Sequence, residues 1–108
     1  MNETQVKNAI KSMLKRLNIF YFSVGASMFN RAGISDIIGL LPTGIGFAIE
    51  CKNSKWNPPA STNIKKYKHY INQKTFHDEV RDSNGIAFFA TDVDDVIRGL
   101  GLKGRFIN

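Results

Sequence analysis

The sequence contains few of the residues on which small proteins rely when their hydrophobic core is weak. Cys51 is the only cysteine, and two histidines occur among the 108 residues. A disulfide framework needs paired cysteines, and a structural zinc site needs a cluster of Cys or His ligands at short spacings, so both classes are excluded. No apolar run approaches the roughly 18 residues that span a membrane, and the first residues lack the continuous apolar stretch of a signal peptide. We therefore expect a cytoplasmic protein that does not interact with a membrane.

Acidic residues are scarce over most of the chain. Residues 1–77 contain eleven Lys and Arg side chains but only Glu3, Asp36 and Glu50 as acids, a net charge of +8. Residues 78–108 carry a net charge of −2, which gives +6 for the whole chain. A basic surface of this kind favours an anionic partner such as a nucleic acid. Three isolated carboxylates in the basic region therefore need a specific reason.

Hydrophobic periodicity and turn residues divide the chain into seven elements of one domain, residues 1–108. The expected elements are helix 3–17, strand 19–24, strands 36–41 and 46–52 joined by a turn at Pro42-Thr43-Gly44, a helix from Ser61 or Thr62 to about Asp82, strand 86–90, and a third helix opening at 91–95. The apolar stripe of the second helix changes phase, which predicts a break near Asn72. Residues 101–108 are expected to form a basic, mobile tail. The order α-β-β-β-α-β-α is typical of an α/β fold with a mixed sheet flanked by helices.

Two ionisable side chains share one face of the second strand of the expected hairpin. Glu50 and Lys52 are two residues apart, and side chains alternate across a strand, so both point to the same side. Asp36 begins the partner strand and lies near Glu50 if the turn is tight. A pair of carboxylates is the usual protein contribution to a Mg²⁺ or Mn²⁺ site that is completed by a substrate phosphate. An adjacent lysine can orient the attacking water or offset charge in the transition state, so this group favours phosphodiester hydrolysis.

Two further residues are candidates for the same site. Glu3 borders the apolar stripe of the first helix and could lean over the sheet, although an ion pair with Lys7 is the simpler alternative. Gln73 lies near the inner stripe of the second helix, where its amide could bond a phosphate, a water or Lys52. The alternative for Gln73 is a polar residue at the border of the core. Cys51 is expected to be a small core residue.

Basic residues with aromatic neighbours form the candidate nucleic-acid surface. The candidate contacts are Lys65, Lys66, Lys68, Arg31 and Lys55. Tyr67, Tyr70 and Trp56 are near these lysines and could serve as aromatic platforms on a surface that follows the phosphate backbone. The alternative is a helix face that is merely solvated. His69 and His77 are expected to be surface residues or nucleic-acid contacts and not metal ligands, because neither has a second histidine or acid at ligand spacing.

The motif residues resemble those of a known nuclease superfamily. The segment Gly33-Ile34-Ser35-Asp36, thirteen intervening residues, Glu50-Cys51-Lys52 and the later Gln73 are similar to the pattern of the PD-(D/E)XK nucleases. Within that superfamily they resemble the stand-alone VRR-type nucleases that are often found in phages. Ser35 stands where the family usually has a proline. The resemblance extends from Glu3 to strand 86–90 and implies a restriction-endonuclease-like α-β-β-β-α-β core.

The resemblance also implies a role for each matching residue. Asp36 and Glu50 would bind the divalent metal together with the backbone carbonyl of Cys51, and Glu3 would complete the acidic cluster. Lys52 would assist the attacking water, and Gln73 would support the site. Family members of this size resemble dimeric enzymes that cleave Holliday junctions or nick DNA.

One hypothesis and two alternatives follow. The hypothesis is a Mg²⁺- or Mn²⁺-dependent DNA endonuclease that is specific for branched or junction DNA or that nicks duplex DNA. A homodimer is expected, because so small a domain offers too little surface to hold both strands of a junction symmetrically. The first alternative is a nonenzymatic nucleic-acid-binding domain whose acids are structural, and the second is RNA as the substrate.

Overall fold

Three helices and four strands follow one another in the part of the chain that the structure describes. A computed structural model describes residues 1–25, 31–60 and 64–102, and for residues 64–66 it describes the backbone alone. The elements are α1 (Glu3–Arg16), β1 (Phe20–Ser23), β2 (Ile37–Leu40), β3 (Gly46–Cys51), α2 (Ile64–Asp82), β4 (Ile86–Ala90) and α3 (Val93–Leu100). The expected element order is confirmed. The expected helix start at Ser61 or Thr62, the side chains of Lys65 and Lys66, and the tail beyond Leu102 lie outside the described residues.

The four strands form one mixed sheet in sequence order. β1 pairs antiparallel with β2, β2 pairs antiparallel with β3, and β3 pairs parallel with β4. The expected turn between β2 and β3 closes where the Gly44 amide donates to the Leu41 carbonyl at 2.8 Å. Because β4 runs parallel to β3, the chain must return to the other end of the sheet, and α2 makes that crossover.

The two faces of the sheet bury different kinds of side chain. On the face that packs against α1 and α3, Ile37, Ile49 and Cys51 are all 0% exposed and belong to the hydrophobic core, as expected for Cys51. On the opposite face, Glu50 is in register with Phe89 of β4. Helix α2 covers this face, and the rings of Tyr70 and His77 lie 5.4 and 4.6 Å from the Phe89 ring. The polar residues of the candidate site therefore lie between the sheet and α2.

Helix α1 is fixed at both ends by local signals. The Asn2 side chain accepts a hydrogen bond from the Gln5 amide at 2.8 Å, and the Gln5 side chain accepts one from the Asn2 amide at 2.9 Å. The helix ends before Asn18, which takes a left-handed conformation with φ of +57°. The buried stripe consists of Val6, Ile10, Met13 and Leu14. Lys7 follows directly after Val6, at the border of this stripe.

Helix α2 continues through Asn72, so the predicted break at that residue is wrong. The backbone departs from helical geometry at Tyr67 instead, with φ of −116° and ψ of 26°. Gln73 and His77 are buried on the inner face of α2, with 3% and 0% exposure. These two polar side chains occupy inner positions that would otherwise be apolar, and they bond to Lys52 and Ser35. The apolar pattern therefore changes phase although the helix does not break at Asn72.

Helix α3 packs the end of the described chain against the core. Asp92 caps its first turn by accepting from the Asp95 amide at 2.8 Å. Gly101 ends the helix with φ of +66°, and Leu102 is 1% exposed within the core. Leu102 was expected in the mobile tail, but its burial extends the ordered core beyond α3. None of the helices in the three described ranges is both long and apolar enough to cross a membrane.

Candidate active site

Asp36 and Glu50 meet at the open end of the β2–β3 hairpin. The last pair of the ladder is Ile37 with Ile49, so Asp36 and Glu50 occupy the next opposing position. The Asp36 carbonyl also accepts a hydrogen bond from the Val24 amide at 2.8 Å, which continues the β1–β2 pairing to this point. Regular strand pairing thus places two carboxyl groups side by side, as the tight turn predicted.

Two donors hold the carboxylate of Asp36. The backbone amide of Cys51 donates to its Oδ2 atom at 2.8 Å, and the Nζ atom of Lys7 lies 3.3 Å from its Oδ1 atom. Burial alone would lower the pKa of Lys7, but the charge of Asp36 and the hydrogen bond to it outweigh burial, so the pKa is raised. The alternative in which Lys7 pairs with Glu3 is therefore replaced by an ion pair with Asp36. Sequence reasoning did not assign Lys7 to the site, although its place one turn after Glu3 was a usable signal.

Glu50 is the most deeply buried acid of the site. Its side chain is 4% exposed, and its Oε1 atom has no hydrogen-bond partner among the described residues. Burial raises its pKa to about 9, and the adjacent Asp36 contributes through a hydrogen bond and its charge, against the opposing effect of Lys52. Glu50 is therefore protonated at neutral pH when no cation compensates its charge.

Lys52, Gln73 and His69 form a chain of hydrogen bonds across the face of the sheet. The Nζ atom of Lys52 donates to Oε1 of Gln73 at 2.9 Å, which is one of the contacts expected for Gln73. Nε2 of Gln73 lies 3.1 Å from Nε2 of His69. An ammonium can only donate, so it fixes the Gln73 oxygen toward Lys52 and the amide NH₂ toward His69. His69 is exposed, as predicted, but its part in this chain was missed.

His77 is buried, so its predicted position at the surface is wrong. It is 0% exposed, and its Nε2 atom lies 2.8 Å from the hydroxyl oxygen of Ser35. Burial lowers its pKa to about 4, and the positive charge of Arg81 adds to this effect. The signal that sequence reasoning missed is the four-residue spacing from Gln73, which places both side chains on the inner face of α2.

The segment before Asp36 packs directly on α2. Gly33 has φ of +84°, and a Cβ atom at this position would lie 2.3 Å from the Asn72 carbonyl oxygen. Arg31 forms an ion pair with Glu79 and lies 5.1 Å from the centre of the Phe76 ring. Glycine is required at position 33 because both the backbone conformation and the contact distance exclude a side chain.

These residues surround an open cleft of about 430 Å³. Its lining includes Lys7, Arg31, Asp36, Glu50, His69 and Gln73. Glu3 is exposed and is not part of this lining, although its charge contributes to the raised pKa of Glu50. The structure therefore brings Asp36, Glu50, Lys52 and Gln73 together, and it places Glu3 outside the cleft.

Aromatic rings flank the cleft next to Lys52. Trp56 stacks on Phe89 at 5.0 Å between ring centres, and Tyr70 stacks on the same ring at 5.4 Å. The Nζ atom of Lys52 lies 5.7 Å from the Trp56 ring centre. Trp56 is only partly exposed, so this cluster packs α2 against the sheet and also leaves aromatic surface beside the site. Lys55 and Lys68 are exposed, as a surface that contacts a polyanion requires.

The acid pair carries oxygen ligands of the kind that Mg²⁺ and Mn²⁺ prefer. The candidate ligands are the carboxyl groups of Asp36 and Glu50 and the backbone carbonyl of Cys51, which follows Glu50 on β3. Hard cations prefer oxygen ligands of this kind. The Oε1 atom of Glu50 has no hydrogen-bond partner among the described residues, and a cation placed there would supply the charge that favours ionised Glu50. In the described ranges, His, Cys, Asp and Glu do not form a metal-binding group of three or more. A cation on this pair would therefore need water or phosphate as its other ligands.

Comparison with known proteins gives no assignment. No family model, no curated protein and no solved structure matches this chain.

Proposed function

We propose that the protein is a Mg²⁺- or Mn²⁺-dependent DNA endonuclease of the PD-(D/E)XK type, within the VRR-type group that its motif resembles. The observation that carries this proposal is the carboxyl group of Glu50, which is 4% exposed and has an Oε1 atom without a partner among the described residues. A buried acid that is paired with a second acid and not satisfied by donors costs stability. Such a cost is typical of a functional site and is relieved when a cation binds.

Each residue of the site has a separate role in the proposed hydrolysis. Asp36, Glu50 and the Cys51 carbonyl would hold the cation, which would supply Lewis-acid polarisation of the scissile phosphate. Lys52 orients the attacking water and offsets the negative charge that develops on the phosphate. Gln73 fixes the Lys52 ammonium through the 2.9 Å hydrogen bond. Of these residues, Asp36, Glu50 and Gln73 line the cleft.

The fold is also interpreted in terms of this nuclease family. We interpret the succession α1-β1-β2-β3-α2-β4 as a restriction-endonuclease-like core. In this interpretation Ser35 replaces the family proline, and its hydroxyl group takes part in a buried hydrogen bond with His77. The segment before Asp36 is therefore restrained by a side-chain contact rather than by a proline ring.

The proposed substrate is branched or junction DNA, or duplex DNA that is nicked, in the cytoplasm of a cell or of a phage host. The net charge of +6 supports a polyanionic substrate. Arg31 lines the cleft, and exposed Lys55 and Lys68 supply further positive charge. A homodimer is part of the proposal, because two cleavage sites on opposite strands suit a symmetric pair of chains.

The rival function is a nonenzymatic nucleic-acid-binding domain. In that case the acids are structural, and the basic residues alone carry the function. The unpartnered Glu50 oxygen favours the enzyme, since a structural carboxyl group at 4% exposure is expected to find donors. RNA as the substrate remains an alternative within the enzyme proposal.

A cleavage assay decides among these functions. The purified chain is incubated with Mg²⁺ or Mn²⁺ and a panel of Holliday-junction, flap, nicked and linear duplex DNAs, with matched RNA substrates in parallel. We expect metal-dependent cleavage, strongest on branched or nicked DNA. Glu50→Gln and Lys52→Ala are expected to lower the rate by about 100-fold or more, in line with loss of a metal ligand or of transition-state charge stabilisation. Asp94→Asn, on the exposed face of α3, is the matched carboxylate control.

The outcomes separate the alternatives. Binding of DNA with no cleavage in either metal, or equal cleavage by the parent and by Glu50→Gln, supports the nonenzymatic domain. Cleavage confined to RNA would mean that RNA is the substrate, and the proposed site would be unchanged. Sedimentation that finds only single chains at working concentration removes the homodimer from the proposal.

A further inference from the structure

A lysine of α1 lies next to Asp36 in the cleft. Lys7 extends from α1 into the cleft, and its Nζ atom lies 3.3 Å from Oδ1 of Asp36. The other oxygen, Oδ2, accepts from the Cys51 amide at 2.8 Å. Both Asp36 oxygens therefore already have a partner, and the Lys7 ammonium is one of them.

The partners of the two acids are unequal. Glu50 has an unpartnered buried Oε1 atom, whereas Asp36 has a fixed cation and a fixed amide. The open ligand position is thus on Glu50. A cation that binds the pair gains most from Glu50 and shares Asp36 with Lys7.

The number of acids limits how many cations the cleft can hold. Enzymes that use two metal ions place them roughly 3.5–4 Å apart and need enough carboxylates to offset the charge of both. Of the described residues that line this cleft, Asp36 and Glu50 are the two acids, while Lys7 and Arg31 are cations. Two divalent ions would add four positive charges to two carboxylates that already have cationic neighbours.

We propose that Lys7 supplies, at Asp36, the positive charge that a second metal ion supplies in two-metal phosphodiesterases, so that the cleft binds a single divalent cation. This inference rests on the proposed nuclease function and names its metal stoichiometry. Lys7 is a positioning residue in this scheme, because its ammonium holds Oδ1 of Asp36. The Cys51 amide restrains Oδ2 independently, so Asp36 remains oriented when Lys7 is changed.

The test counts bound Mn²⁺ on the full chain without nucleic acid. Titration followed by electron paramagnetic resonance of free Mn²⁺, with calorimetry as a second measurement, is applied to the parent, Lys7→Gln, Lys7→Glu and Lys15→Gln. We expect a stoichiometry near one for the parent and for the Lys15→Gln control, whose residue is exposed on the same helix. Lys7→Gln should bind one ion about tenfold more tightly, because a repelling charge is lost. Lys7→Glu adds a third carboxylate and should bind two ions.

Each outcome decides one of the two proposals. A parent that binds two Mn²⁺ ions overturns the role of Lys7 and leaves the metal-dependent nuclease intact. A parent that binds no Mn²⁺ overturns this inference, and if it also fails to cleave DNA in either metal, the nuclease is overturned with it. Unchanged affinity in Lys7→Gln, with native circular dichroism, also overturns the role of Lys7. If Lys7→Glu does not fold, the parent stoichiometry and the Lys7→Gln affinity still decide.

Discussion

The Ser35 hydroxyl oxygen lies 2.8 Å from Nε2 of His77, and both residues are 0% exposed. This hydrogen bond joins the segment before Asp36 to the inner face of α2. Gly33 packs on the same helix two residues earlier, where a Cβ atom would lie 2.3 Å from the Asn72 carbonyl oxygen. The position of Asp36, one of the two candidate metal ligands, is therefore fixed by contacts with α2 as well as by the sheet.

The first prediction concerns the pH dependence of stability due to His77. Burial lowers its pKa from 6.5 to about 4, so the unfolded chain binds a proton that the folded protein does not bind between these values. The free energy of unfolding should therefore be unaffected by His77 above pH 6.5 and fall as the pH drops toward 4, by roughly 3 kcal/mol over the window. Urea denaturation at several pH values measures this fall in the free energy of unfolding. Glu50→Gln is used as the background, because Glu50 titrates in the same window with opposite sign.

The matched variant for this prediction is His77→Gln in the same background. Without the imidazole, most of the decline between pH 6.5 and 4 should disappear. An equally steep decline in His77→Gln would assign the acid sensitivity to other groups.

The second prediction is that Glu50→Gln stabilises the metal-free protein at alkaline pH. The pKa of Glu50 is raised from 4.5 to about 9, so the folded protein favours the protonated acid, and this contribution is lost as the pH rises from 4.5 through 9. An amide resembles the neutral acid and avoids that loss. In EDTA, the midpoint of urea denaturation should be higher for Glu50→Gln than for the parent at pH 8 and equal near pH 4. Asp94→Asn should show no such pH-dependent difference.

The third prediction concerns the restraint on Lys52. Gln73→Ala removes the acceptor 2.9 Å from the Lys52 ammonium, which leaves Lys52 free to take several positions. We expect kcat for cleavage to fall by about tenfold with little change in KM, since positioning of a catalytic group affects the transition state more than binding. Thr75→Ala, on the exposed side of α2, is the control. A matching rise in KM would indicate that Gln73 binds the substrate instead.

The fourth prediction compares two glycines with positive φ. Gly33→Ala should lower the free energy of unfolding by more than about 2 kcal/mol, because backbone strain is combined with a clash against α2. Gly44 has φ of +91° but open space around its Cβ position, so Gly44→Ala should cost only about 1 kcal/mol. Thermal or urea denaturation of both variants measures the difference. Equal losses would mean that the contact with Asn72 adds nothing beyond strain.

The local part of the site could be predicted from the sequence because it needs only strand periodicity and one turn. Glu50 and Lys52 share a face by alternation, and Asp36 comes opposite Glu50 because Pro42-Thr43-Gly44 fixes the hairpin register. Lys7 and His77 required the tertiary structure. Their roles depend on how α1 and α2 lie on the sheet, and a polar residue on an inner helix face cannot be distinguished from a border residue until its partner is known.

The contacts of the site join residues that are near or far apart in the sequence, and this difference determines which parts of the site can open independently. Asp36 and Glu50 are brought together by a single hairpin, whereas the Lys52 contact with Gln73 spans 21 residues and the Ser35 contact with His77 spans 42. Proteins open in cooperative units, and hydrogen exchange reveals them as groups of amides that lose protection together. An opening that detaches α2 would leave the acid pair intact and release Lys52. If the proposed function holds, such a molecule would still take up metal but would not cut, so metal occupancy alone would not report a molecule competent for cleavage.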